Sequence, residues 1–314
     1  MGVKNNLKII FMGTPSFAVP ALKKISEKHQ VVLVVTREDK RQGRGKKLAM
    51  SPVKELALEK GIDVLQPEKA SSEEFVEKIR GLEPDLIVVI AFGQILKKDL
   101  LDIPKIGCIN VHVSILPKYR GAAPINWVLI NGEEKTGVTI MFMDEGLDTG
   151  DIITCKEFPL DIDMTAGDLH DLMMVEGAEL LGKTVKDLES GNYTRTAQNH
   201  EEYSYAPMMD RDLGHIDFSR TAREVHNLVR GTIPWPGAWT MSDMGKIKIW
   251  KTRLTGKKTD KETGTIVSQT KEGLEIACKD ETILVLELQV PNKKRMPFSE
   301  FIKGNRLESS YKFN

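Results

Sequence analysis

The chain has 314 residues, 40% of them hydrophobic and 29% charged, with 45 basic side chains against 45 acidic ones. That length predicts about two domains, and the composition supplies enough apolar material for a core of ordinary size. A net charge of zero argues against a protein that coats nucleic acid indiscriminately, and no stretch reaches the length of a membrane span.

The opening MGVKNNLKII has no signal-peptide apolar core, and Asn6 stands where a myristoylation pattern needs Ser or Thr. Lys8–Gly13 (KIIFMG) reads as a buried strand ended by glycine. Thr14–Pro15–Ser16 turns the chain into a helix whose Pro20 fits only in the first turn. Val31–Thr36 is a second, β-branched strand. The following stretch 37–47 (REDKRQGRGKK) holds six basic residues against two acidic ones and reads as a surface loop at a strand's carboxyl end. Ser51 caps a helix with Pro52 at its first position. Ile62–Leu65 is a short strand, and Ser71 with Glu74 predicts a capping box for a helix running through Ile79.

Asp85–Ala91 (DLIVVIA) is a continuous apolar strand, the mark of a sheet covered on both faces. Ile106–His112, Thr139–Met143 and Ile152–Cys155 complete the strands of this half. Thr165–Leu188 carries apolar residues at helical spacing. Strands alternating with helices predict parallel βαβ units in a doubly wound, mostly parallel α/β sheet of Rossmann-like type, with its crevice at the carboxyl ends of the strands. The polar, aperiodic stretch from Gly191 to Pro207 reads as a linker. The chain thus divides into 1–189, a linker at 190–207, and a C-terminal domain at 208–314. That last domain predicts a helix near Thr221–Arg230 and then short strands at Lys246–Trp250, Gly264–Val267, Leu274–Ala277 and Ile283–Leu288, which suit a small OB-like β-barrel.

Charge is unevenly placed. From residue 208 onward 19 basic residues face 14 acidic ones, and Lys246, Lys248, Lys251, Arg253, Lys257 and Lys258 form a run without an acid among them. Alternation puts Lys246 and Lys248 on one strand face and Ile247 and Ile249 on the other. A basic C-terminal domain suits contact with an RNA backbone, and a solvated barrel exterior explains the same pattern. The three cysteines, Cys108, Cys155 and Cys278, lie far apart in apolar runs, with no metal-ligand spacing, and predict buried reduced thiols. A cytoplasmic protein is expected.

The densest chemistry lies between Gly107 and Gly150. Asn110 and His112 are two apart on a strand, so both side chains point to one face at a strand's carboxyl end. An amide donor beside an imidazole suits stabilising an oxyanion while a proton moves. Asp148, in the glycine-flanked GLDTGD turn, could make only a local turn, or could hold the His112 tautomer and relay a proton through water. The contact requires its loop to fold back on the strand end, as a βαβ crossover would permit. Ser114, Ile115, Leu116 and Pro117 put apolar side chains on a constrained backbone, which could wall a flat heteroaromatic ligand or simply cover the sheet edge. Lys118 and Arg120 could be solvent charges or could meet an anionic tail. Gly13–Thr14–Pro15 is not a dinucleotide fingerprint, and no phosphate-loop lysine motif is present, which argues against nicotinamide or ATP chemistry.

INVHVSILPKYRGAAPI, GVTIMFMDEGLDTGDI, FMGTPSFAVPAL, GRGKKLAMSPVKELA and PWPGAW resemble the methionyl-tRNA formyltransferase family along essentially the whole chain. The Asn–x–His…Asp core is shared by enzymes that move formyl from 10-formyltetrahydrofolate. The resemblance implies catalytic Asn110, His112 and Asp148, and folate contact at Ser114, Ile115, Leu116 and Pro117. It further implies contact with the tRNA acceptor end by the loop Arg41–Lys47, including Arg41, Arg44, Lys46 and Lys47, with Arg44 as the leading contact. It departs from the family at Val113, where a smaller residue is usual, and at Ile115, where Leu is usual. On this reading the cosubstrate is 10-formyltetrahydrofolate, the partner is initiator methionyl-tRNA, no metal is needed, and the chain acts as a monomer. An amino-sugar or other small-amine formyltransferase, and a catalytically idle RNA-binding relative, are the alternatives.

Overall fold

A computed structural model describes residues 6–42, 47–305, 307–308 and 311–313. The strands are β1 (Lys8–Gly13), β2 (Gln30–Val35), β3 (Lys40–Gln42), β4 (Lys47–Ala49), β5 (Val64–Leu65), β6 (Leu86–Ile90), β7 (Gly107–His112), β8 (Arg120–Gly121), β9 (Lys135–Phe142), β10 (Ile152–Pro159), β11 (Tyr205–Ala206), β12 (Ala238–Ser242), β13 (Gly245–Leu254), β14 (Ile266–Gln269), β15 (Leu274–Ala277), β16 (Thr282–Gln289) and β17 (Met296–Pro297). The helices are α1 (Val19–Ser26), α2 (Pro52–Glu59), α3 (Glu73–Gly81), α4 (Lys98–Leu101), α5 (Pro124–Ile130), α6 (Ala166–Ser190), α7 (Ala222–Gly231) and α8 (Phe298–Gly304).

The seven-stranded sheet has the order β10-β9-β7-β6-β1-β2-β5. β1 pairs in parallel with β2 and β6, and β6 pairs in parallel with β7. Its centre follows from composition: every residue of β6 (LIVVI) is buried, as a strand covered on both faces requires. Each such aliphatic side chain contributes about 1.5–3 kcal/mol relative to exposure, so the strand ends are held on a rigid base. The order reverses about β1, which puts the crevice of a doubly wound sheet at the carboxyl ends of these strands. β9 departs from the expected parallel pattern. It runs antiparallel to β7, with His112 opposite Thr139 and Ile109 opposite Phe142.

Local signals set the helix starts. Ser51 Oγ accepts the Lys54 amide at 3.2 Å, with Pro52 in the first turn of α2. Pro20 lies in the first turn of α1, as its missing N–H demands. The expected Ser71–Glu74 capping box does not form. Ser72 occupies the cap of α3, without a side-chain bond. Thr221 and Glu224 make the capping box instead, at the start of α7.

The chain separates into two compact units whose borders differ from the expected linear ones. The first comprises 1–121, 136–158 and 170–205, and the second comprises 122–135, 159–169 and 206–314. Helix α5 counts with the second unit because Asn126 Nδ2 donates to the Gly231 carbonyl at 2.8 Å and Trp127 Nε1 donates to the Pro207 carbonyl at 2.9 Å. Residues 190–205, expected as a bare linker, count with the first unit. Thr196 bridges Ile152 in both directions, at 2.8 and 2.9 Å. In the second unit the antiparallel sheet runs β12-β13-β16-β15-β14, with β17 on β16. It is barrel-like rather than closed: no pairing of β12 with β14 occurs among the described residues. Ile247, Ile249, Ile266, Leu274, Ile276, Ile283 and Val285 pack its inner face with Phe298 and Phe301 of α8.

Candidate active site

β7 delivers Asn110 and His112 to one face by alternation. On the opposite face α6 covers the sheet. A Cβ at Gly177 would lie 3.3 Å from Val111 Cγ1 and 3.7 Å from Val138 Cγ1, so glycine permits the close approach. Asn110 is half-buried, and among the described residues no protein group bonds its carboxamide. It therefore presents an N–H donor to whatever enters.

His112 is only 5% exposed. Its Nε2 lies 2.9 Å from the Tyr119 carbonyl oxygen. A carbonyl can only accept, so Nε2 carries the proton and, in the neutral ring, Nδ1 presents its lone pair. Nδ1 faces Asp148 Oδ2 at 3.6 Å. Both ring nitrogens are thus turned to protein acceptors, which leaves Asn110 as the free donor at the strand end.

Asp148 reaches His112 from the direct connection between the neighbouring strands β9 and β10, not from a βαβ crossover. Its φ of 54° is left-handed, a conformation Asp tolerates better than most residues. Its Oδ2 accepts the Gly121 amide at 2.8 Å. The turn is tight enough that a Cβ at Gly150 would lie 1.9 Å from the Phe142 carbonyl oxygen. Thr149 Oγ1 and the Gly146 amide both donate to Asp144 Oδ1, at 2.6 and 3.0 Å.

The Ser114–Pro117 segment is pinned from beneath by a residue that the sequence does not single out. Thr139, fully buried on β9, donates to the Ser114 carbonyl at 2.6 Å and accepts the Leu116 amide at 3.3 Å. Ser114 Oγ donates to the Lys118 carbonyl at 2.6 Å, closing the loop on itself. Ser114 and Leu116 are buried, while Ile115 and Pro117 are half-exposed. Only the pairing of β9 with β7 reveals Thr139, because a lone threonine in an apolar strand carries no distinct pattern.

Gln198 is the other residue that comes into view only with the fold, and Arg120 is its partner. Arg120 is a 6%-exposed side chain, not a solvent charge. Its Nε and Nη2 donate to Gln198 Oε1 at 3.1 and 2.6 Å. Gln198, also 6% exposed, comes from the stretch expected to be a linker. The thiol of Cys108, two residues before Asn110, is pushed up to about 12 by burial and so stays protonated. Cys278 is likewise buried, whereas Cys155 is exposed, contrary to expectation.

The basic residues are distributed otherwise. Arg41 and Lys47 belong to an antiparallel pair, β3 with β4, where a loop was expected. Arg44 and Lys46 lie outside the described residues. In the second unit Lys246 and Lys248 stand on the outer face of β13, opposite Met241 and Trp239 of β12. Lys246 Nζ lies 3.4 Å from the Trp239 ring centroid, and Lys248 Nζ lies 5.6 Å from that of Trp250.

Residues 7–185 match the family model described as formyl transferase, and residues 208–306 match that of the formyl transferase C-terminal domain. A methionyl-tRNA formyltransferase of Clostridioides difficile is 59% identical over 304 residues, covering 96% of this chain and 98% of the relative. One of Ruminiclostridium cellulolyticum is 51% identical over 309 residues, covering 98% and 99%. Among solved structures, an N-formyltransferase from Helicobacter canadensis in complex with folinic acid and dTDP-3-aminofucose matches with a TM-score of 0.68 at 25% identity, covering 89% of this chain and 98% of that one. HypX from Aquifex aeolicus in complex with tetrahydrofolic acid shares the fold at 17% identity and a TM-score of 0.60, over 95% of this chain and 47% of its own. Matched through both of its halves, and over nearly its full length by relatives of one kind, the chain belongs to the methionyl-tRNA formyltransferases within the formyl transferase family.

Proposed function

We propose that the chain transfers a formyl group from 10-formyltetrahydrofolate to the α-amino group of methionine on initiator methionyl-tRNA. Identity of 59% across 98% of a methionyl-tRNA formyltransferase supports the substrates. The observation that carries the chemistry is the unpartnered Asn110 carboxamide beside a histidine whose Nδ1 faces a carboxylate.

The neutral amine attacks the formyl carbon, and the new C–N bond leaves a tetrahedral oxyanion. Asn110 donates a hydrogen bond to that oxygen. The amine proton passes to the His112–Asp148 pair, at Nδ1 or through water. Nε2 stays bonded to the Tyr119 carbonyl, so the imidazolium faces an acceptor on each side. That proton goes to the departing folate nitrogen as its bond to the formyl carbon breaks. The 3.6 Å gap between Nδ1 and Asp148 is one that substrate entry would tighten. Ser114, Ile115, Leu116 and Pro117 wall the folate ring system, on a backbone that Thr139 fixes. Arg41, Arg44, Lys46 and Lys47 from one unit and Lys246 and Lys248 from the other meet tRNA phosphates.

Incubating the purified chain with formyl-labelled 10-formyltetrahydrofolate and either methionyl-tRNA or dTDP-3-aminofucose tests this reading. Label is expected in the methionine of the tRNA. Label in the amino sugar alone, or in neither, overturns it.

A further inference from the structure

We infer that Gln198, oriented by Arg120, is a positioning residue that holds Asp148 against His112. The inference rests on the proposed role of the His112–Asp148 pair. Residues 144–147 of the turn that carries Asp148 are exposed, while the Asp148 side chain itself is only 14% exposed. Its side chain is held at one point, where Oδ2 accepts the Gly121 amide at 2.8 Å. Its backbone is held at another: Gln198 Nε2 donates to the Asp148 carbonyl at 2.9 Å and to the Gly150 carbonyl at 2.7 Å.

The orientation of the Gln198 amide follows from its partners. Two guanidinium nitrogens of Arg120 point at one end of it, and guanidinium can only donate, so that end is the oxygen. The nitrogen is thereby aimed at the two carbonyls, which can only accept. Arg120 also precedes Gly121 in the chain. These bonds therefore close a ring: Asp148 carboxylate, Gly121 amide, Arg120, Gln198, Asp148 carbonyl. Both holds on Asp148 are fixed relative to each other by the same buried pair. Arg120 is steadied in turn by His200 Nδ1 at 3.3 Å and by the Tyr203 ring, whose centroid is 5.5 Å away. Gln198 spends its amide on Arg120 and on these two carbonyls, so it acts on the chemistry through Asp148 and not on the strand-end donor Asn110.

The test is a double-mutant cycle on single-turnover formylation of methionyl-tRNA, with KM for both substrates measured alongside. Gln198→Ala should lower the single-turnover rate by about 10²-fold, the effect of a displacement near 1 Å, while either KM changes by less than about threefold. In an Asp148→Asn background the same substitution should cost little more, because the residue it positions no longer acts. Gln198→Glu keeps the acceptor for Arg120 but aims an oxygen at two carbonyls. It should remain folded through its pairing with Arg120, with a lowered Tm, and lose turnover as Gln198→Ala does, so it carries the test if the alanine variant does not fold. Wild-type turnover in Gln198→Glu, or equal loss with and without Asp148→Asn, overturns the inference. Absence of formylation by the wild-type chain is a separate outcome, which overturns the proposed function that the inference stands on.

Discussion

The end of β7 and the outer face of β12 and β13 are both rich in polar groups, and they are built on opposite terms. At the strand end His112, Arg120 and Gln198 are 5–6% exposed, and their nitrogens meet acceptors at 2.6–3.3 Å. On the other face Lys246 is exposed, with its ammonium over an indole ring. Buried hydrogen bonds fix angle and distance, and an unmet partner leaves a full desolvation cost. Exposed charges act through a screened field that tolerates small displacements. The first arrangement suits making and breaking bonds, and the second suits gathering a polyanion. Loss of one atom should be severe in the first and graded in the second.

The largest effect is expected from His112→Ala, which should lower kcat by about 10²–10⁴-fold with methionyl-tRNA binding retained in a filter-binding assay. Unchanged turnover would remove the strand end from the mechanism. Asn110→Ala should cost about 10²–10³-fold in kcat, and a loss confined to KM would mean that it binds substrate rather than the oxyanion. Gly150→Ala sharpens the comparison without touching a reacting group. A Cβ 1.9 Å from the Phe142 carbonyl forces the turn to move, and turnover should fall in step with the displacement of Asp148. A variant with normal kcat would show that the turn absorbs the strain.

The exposed face should behave differently. Lys246→Ala with Lys248→Ala should leave kcat at saturating tRNA unchanged, weaken tRNA binding, and reduce the slope of log K against log salt by about one for each phosphate no longer neutralised. An unaltered slope would mean that these lysines cover the sheet and nothing more. The smallest effect concerns the helix beneath. Thr221→Ala should destabilise by about 1 kcal/mol through loss of the α7 cap. The Glu224 carboxyl is held below its ordinary value by the Thr221 hydroxyl and amide. Its stabilisation is therefore full above the ordinary Glu range and lost as pH falls from that range through the lowered value in the folded chain, so the gap between wild-type and variant Tm should narrow in acid.

What could be read from the residues followed the strength of local signals. The apolar runs of β1 and β6, the Ser51–Pro52 start of α2 and the same-face pair Asn110 and His112 all rest on period and on cap chemistry, which are local. The direction of β9 is not local, and neither is the approach of Asp148 to His112, which a loop between two neighbouring strands makes. Gln198 was hidden most completely. It lies among GNYTRTAQNHEEYSYAP, where neither helical nor strand periodicity exists, because the segment satisfies its backbone against other parts of the first unit. Aperiodic polar sequence reads as spacer, yet such a chain can be ordered wherever buried partners await its side chains. The placement of Arg120 is hidden for a related reason: its charge allows either solvent or an anionic ligand, and only the acceptor supplied 78 residues later allows burial.

The return of residues 190–205 to the first unit has a practical consequence for dissecting the chain. A fragment ended at the last turn of α6 would keep Asn110, His112 and Asp148 and would look catalytically complete by its motifs. It would lack Gln198, leave the Arg120 guanidinium without its acceptor, and free the Ile152 backbone from Thr196. A fragment that keeps this strand end intact therefore extends past Ser204, whose hydroxyl accepts the Tyr119 amide at 2.9 Å. Cut points, fusion joints and shuffled hybrids drawn at the edge of the last obvious helix would sever the tether of the proposed acid–base pair while leaving Asn110, His112 and Asp148 in place.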